Sequence, residues 1–157
     1  MAKRHASLVP LSRDHHDGLF LALRLKQGKR ANLTGWSHDP RWQAYYVVAF
    51  YKSHLVLHFE AEEEILFPAM KRYAQGSERT IETLLQQHKE IKRTVSSFEA
   101  PDEKNLVEDL KNFGELLDQH IHIEENELFP VFEKSVPKAI AEEVGREIEK
   151  IKKPLSK

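Results

Sequence analysis

Apolar residues recur along this chain at steps of three and four, over stretches long enough for helices of several turns. Leu106, Leu110, Phe113, Leu117, Ile121 and Leu128 trace one such seam. Ile81, Leu85, Ile91, Val95 and Phe98 trace a second. Val47, Tyr51, Leu57, Ala61 and Ile65 are compatible with a third. A first helix is predicted over about 13–29, capped by Ser12, with Asp14 in its first turn to suit the helix dipole. After a loop at 31–39, Asp39 caps a second helix with Pro40 at its first position, running to about 73 and stopping near Gly76. Pro68 inside it predicts a kink or break. A third helix is predicted over 77–98 and a fourth over about 103–133, with Pro130 a second candidate kink. Pro137 opens a short terminal helix to about 152, and Pro154 lies beyond its end. Long helices with short connections predict an all-α fold, an up-down-up-down four-helix bundle with a short extra C-terminal helix. The expected organisation is one domain over 1–157, with the bundle core at about 12–133 and the terminal helix at about 137–152.

Composition narrows the chemistry. Six glycines and seven prolines in 157 residues fall between the periodic segments, which agrees with helices rather than a many-turned sheet. Basic and acidic side chains nearly cancel, 24 against 25, so a nucleic-acid partner is not expected. No apolar run reaches the ~18–20 residues that span a bilayer, and no apolar signal core follows the first residues, so a cytoplasmic protein with no membrane partner is expected. The absence of cysteine excludes disulfides, thiolate nucleophiles, Cys-ligated zinc and iron–sulfur clusters. Nine histidines are the unusual feature.

Several histidines interrupt the apolar seams. His120 lies three residues after Leu117, Glu124 four after His120, and Leu128 then resumes the stripe. His58 and Glu62 stand in the same relation on the second helix, and His88 lies between Leu85 and Ile91 on the third. On the first helix His16 aligns with Leu19, Phe20 and Leu23 and is favoured over its neighbour His15. The segment from His58 to Pro68 matches that from His120 to Pro130 at a constant offset of 62 residues, Leu-Phe-Pro included. Each half thus supplies one lone histidine and one His-x-x-x-Glu pair. Residues four apart share a helix face, so each pair can converge on one cation. Carboxylates buried in an apolar bundle are costly unless paired or metal-bound. Four imidazoles and two carboxylates suit iron, manganese or zinc, and the repeated halves favour two ions over one. His5, His38 and His122 need no special role; His122 falls on another face from His120.

In this pattern the chain resembles the hemerythrin-like, or HHE cation-binding, family, from about Leu11 to Pro130. The resemblance implies a four-helix bundle around a non-haem di-iron centre, with manganese or zinc less expected than iron. It implies metal ligation by His16, His58, Glu62, His88, His120 and Glu124, the glutamates bridging two irons with an oxo or hydroxo group. The oxygen-carrying members place a further histidine one turn after the lone one of the third helix, where this chain has Lys92, and an aspartate where it has Glu124. His54, one turn before His58, is a candidate substitute ligand or a partner of a ligand.

Two functions that use the site's reactivity are open on this reading, beside a storage or purely structural role in which metal stabilises the bundle. One is a binding or sensing module for dioxygen, nitric oxide or iron, with a small diatomic ligand as partner. The other is a di-iron enzyme acting on peroxide, oxygen or nitric oxide, or supporting repair of iron centres under stress. No separate nucleophile or cofactor motif selects the second. Histidine ligation predicts that metal affinity falls below about pH 6, where protons compete.

Overall fold

The structure, a computed structural model, describes residues 3–153. The described residues are all-helical, with no strand. Five long helical stretches hold most of the described residues: α1 (Val9–Gln27), α2 (40–73), α3 (Glu78–Phe98), α4 (106–135) and α5 (Lys138–Lys152). None is long and apolar enough to cross a membrane.

The local chemistry accounts for most helix ends. The Asp39 side chain accepts from the Arg41 N–H at 3.0 Å, and Pro40 follows as expected. Gly76, at φ 97°, takes the left-handed conformation that separates α2 from α3. Two starts differ from expectation. α1 begins at Val9 rather than near 13, because Pro10 fits a first helical turn and the preceding turn Ala6–Leu8 is capped by His5. Ser12 is therefore no cap; its hydroxyl donates to Glu125 at 2.7 Å. α4 begins at Leu106 rather than near 103, because the Asp102 side chain accepts from the Lys104 N–H and holds a turn there. Pro154 lies outside the described residues.

α2 and α4 are not continuous α-helices. α2 widens into π turns at Tyr51–Leu55 and Glu62–Leu66, and α4 into one at Glu124–Leu128. The last two lie just before Pro68 and Pro130, the expected kinks. Proline has no N–H to donate and its ring presses on the carbonyl four residues back. A π turn, in which Phe67 donates to Glu62 and Phe129 to Glu124, absorbs that mismatch within the helix. In the first π turn the Ser53 hydroxyl donates to the Phe50 carbonyl at 3.3 Å, drawing it from the helical ladder. Each wide turn moves the buried face. Leu57 and Ile65 are therefore only half-buried, while Leu55, Phe59, Leu66 and Phe67 enter the core.

The core consists of two apolar clusters. One gathers Leu21, Leu25, Phe50, Phe59, Ile91 and Leu117 with their neighbours; the other gathers Leu11, Leu66, Phe67, Leu84, Phe129 and Ile148. Along α1, α3 and α4 a buried polar position separates the two, and on α2 buried His58 and Glu62 flank the passage from Phe59 to Ala61. α5 closes the second cluster with Ala141, Val144 and Ile148. α1 and α4 approach closely because both carry small residues where they cross. A β-carbon at Gly114 would stand 3.0 Å from the Ala22 carbonyl oxygen and 3.0 Å from the Leu25 β-carbon. Gly114→Val is therefore expected to lose about 1–3 kcal/mol of stability through overpacking. A denaturant titration checks this; an unchanged midpoint would contradict the close crossing.

Candidate metal centre

The buried polar layer between the two clusters comprises His15, His58, Glu62, His88, His120 and Glu124, each at most 3 % exposed. α1 contributes His15, α2 His58 and Glu62, α3 His88, and α4 His120 with Glu124. They form two groups of four that share both glutamates: His15, His58, Glu62 and Glu124 in one, Glu62, His88, His120 and Glu124 in the other. Within each group one ligand-type atom per residue lies within 4.8 Å of all the others. The His15 Nε2 is 2.7 Å from Glu124 and the His88 Nε2 3.0 Å from Glu62. The His58 Nε2 lies 3.1 Å from Glu62 and the His120 Nε2 3.4 Å from Glu124.

The outer ring nitrogens are held in a matching pattern. His15 Nδ1 is 2.6 Å from Glu125, and His88 Nδ1 is 2.7 Å from Glu63, each the residue directly after a central glutamate. His58 Nδ1 is 2.9 Å from Asp14, and His120 Nδ1 is 2.7 Å from the Gln87 side-chain amide oxygen Oε1, each the residue directly before a lone histidine. Every imidazole is thereby turned so that Nε2 faces the centre, the arrangement that fixes tautomer and orientation at metal sites.

The centre's chemistry fits a cation. Glu62 Oε2, His120 Nε2 and Glu124 Oε2 are buried with no hydrogen-bond partner among the described residues. Such orphaned polar atoms are costly in a protein interior. Burial disfavours charge throughout, yet the contacts outweigh it at most positions. Glu62, Asp14 and Glu124 hold His58 well above the usual imidazole range despite its burial. Glu62 and Glu63 hold His88 up at about 9. His15 is also raised, by Glu124 and Glu125. Glu62 is held well below the usual carboxylate range by His58, Glu124 and His88. His120 goes the other way: burial, with the charges of His88, His15 and His58, pushes it down to about 3 against the pull of Glu124. The raised histidines thus stand against the buried glutamates, in the place a divalent ion's charge would occupy.

Two expected positions differ. The histidine that α1 turns inward is His15, not His16. His16 lies on the surface with its ring edge-on to Phe20, itself 49 % exposed. The buried face of α1 is Leu11, His15, Gly18, Leu21, Ala22 and Leu25, which weighing by apolar bulk beside His16 passes over because Gly18 and Ala22 are small. His54 does not join the layer. It lies in the first π turn, whose wider step breaks the one-turn alignment with His58. Its ring stacks on Phe50 at 4.3 Å, Nδ1 is 2.7 Å from the Ser53 hydroxyl, and Nε2 lies 3.5 Å from Asp17. His5 caps a turn, His38 holds the Ala31 carbonyl at 2.6 Å, and His122 is exposed.

Sequence reading gives Asp14 only a helix-dipole role, reads Glu63 and Glu125 as solvated surface, and gives Gln87 none. The repeated Glu-Glu pairs at 62–63 and 124–125 carry a signal for two of them.

The family model for the hemerythrin HHE cation-binding domain matches residues 7–132. The chain belongs to this hemerythrin HHE cation-binding family. The match spans all six residues of the buried layer and ends before α5. In this hemerythrin-type domain the two groups of His and Glu are where a metal could be held. No curated protein and no solved structure is found to match the chain.

Proposed function

We propose that this protein is a non-haem di-iron member of its family, an up-down-up-down bundle of α1 to α4 closed by α5. We propose that it binds or senses dioxygen or nitric oxide, or reports iron supply. The observation that supports this reading is the pair of four-residue groups sharing Glu62 and Glu124. His15 and His58 would hold one iron, His88 and His120 the other, and the two glutamates would bridge. Two irons so held supply redox chemistry and coordination positions open to a small ligand. Asp14, Glu63, Gln87 and Glu125 orient the imidazoles, and the flanking apolar clusters exclude bulk water from the centre.

Protein produced with ample iron should carry two iron ions per chain and absorb in the near-ultraviolet and visible, with a band that responds to azide and reversibly to oxygen. Elemental analysis finding no iron would sink the reading. Sustained consumption of peroxide would replace binding by catalysis as the function.

A further inference from the structure

The two halves of the centre are alike in their inner residues and unlike in what stands behind them. Behind His15 and His58 are two carboxylates, Glu125 and Asp14. A cation near each end of the chain closes on each of these: Arg4 reaches Glu125 at 3.1 Å, and Lys152 of α5 pairs with Asp14. Arg4 also bonds Glu133 at 2.9 Å, tying the N-terminal segment across α4. Behind His120 stands the neutral amide of Gln87. Behind His88 stands Glu63, whose side chain is 46 % exposed and makes no ion pair with lysine or arginine among the described residues. Glu63 borders a surface groove of about 510 Å³, lined by Tyr51, Phe59, Glu63, His88, Lys89 and Lys92.

These differences bear on how firmly each half holds a cation. A hydrogen bond to a carboxylate is stronger than one to an amide and makes the imidazole a better donor. An ion leaves only when an imidazole steps off and water takes its place. His15 and His58 are braced by ion pairs from both ends of the chain, whereas His88 is held by a half-exposed side chain at a groove.

We propose that the two metal positions exchange at unequal rates: the His15–His58 position retains its ion, and the His88–His120 position is where metal enters and leaves, through the groove that Glu63 guards. This rests on the two-metal reading above. Asp14, Gln87 and Glu63 act here as positioning residues.

The test is release of ferrous iron from the loaded full-length chain into excess chromophoric chelator, followed in time. The expected course has two phases of about one ion each, differing in rate by about tenfold or more. Asp14→Asn should accelerate the slow phase by about 10–100-fold and leave the fast phase unchanged. Gln87→Glu should slow the fast phase, and Glu63→Ala should speed it. Circular dichroism establishes that each variant is folded, and Gln87→Glu keeps the test open should Asp14→Asn fail to fold. Two ions leaving in a single phase, or Asp14→Asn acting on the fast phase, would overturn this inference alone. A chain that takes up no metal would overturn the two-metal reading and the inference with it.

Discussion

Glu62→Ala or Glu124→Ala should reduce bound metal from two ions per chain to well under one. Each glutamate belongs to both four-residue groups, so one substitution removes an oxygen donor from both positions at once. The loss of affinity should exceed the roughly 10–100-fold seen when only an outer partner of a ligand is removed. Glu62→Gln and Glu124→Gln keep the volume and remove the charge, which separates loss of ligation from a collapsed cavity. They should also lose most of the metal while folding as the parent does. The histidines provide the internal comparison. His15→Ala removes a donor from one group only and should cost about half the bound ions, whereas His16→Ala should cost none, since His16 lies on the surface. Elemental analysis of purified variants decides the matter. Full occupancy in Glu124→Ala, or equal losses in His15→Ala and His16→Ala, would contradict the assignment.

The His15 and His16 comparison also shows where sequence reasoning reaches its limit. The helices, the Asp39 cap and the disturbances near Pro68 and Pro130 follow from periodicity and from the chemistry of a few residues. So does the inward course of His58, Glu62, His88, His120 and Glu124, because large apolar neighbours mark those faces. On α1 the marker fails. The seam through His15, Gly18, Ala22 and Leu25 has the same spacing as that through His88, Ile91, Val95 and Phe98, but with small residues in place of large ones. A β-carbon at Gly18 would lie 2.9 Å from the Ile121 side chain, so burial there comes from close approach rather than from bulk. Leu19, Phe20 and Leu23 carry more apolar area, yet Phe20 and Leu23 are about half exposed. The π turns were equally hidden. Proline signals that the ladder must yield but not how, and the turn at Tyr51–Leu55, which displaces His54, contains no proline. The outer partners escaped because a charged residue beside a ligand reads as solvated surface until a neighbouring helix is placed against it. Asp14 suits a helix dipole in sequence and holds His58 in the fold.

Acidification from about pH 7 to about pH 6 should weaken metal binding about tenfold for each proton that an ion displaces on loading. The sequence alone placed this competition below about pH 6, near the ordinary imidazole value. The structure moves it upward. Burial opposes charge on both His58 and His88, but Glu62, Asp14 and Glu124 outweigh it at the first, and Glu62 and Glu63 raise the second to about 9. Both therefore hold a proton more tightly than a free imidazole in the metal-free protein, and a cation must compete with those protons. His120, pushed down to about 3, is already neutral and adds nothing to the slope. Calorimetric titration at about pH 7 in buffers of different ionisation enthalpy should report release of about two protons or more per chain. Buffer-independent heats, with equal affinities at both pH values, would refute it. Folding of the metal-free protein should show the opposite trend on the alkaline side. A histidine raised in the fold contributes stability that is fully present below its unfolded value near 6.5 and lost as pH climbs through its folded value, here about 9 for His88. Chelator-treated protein should therefore melt lower at about pH 9 than at about pH 7. Loaded protein should hold its melting temperature over that range, since its carboxylates are balanced by metal rather than by protons.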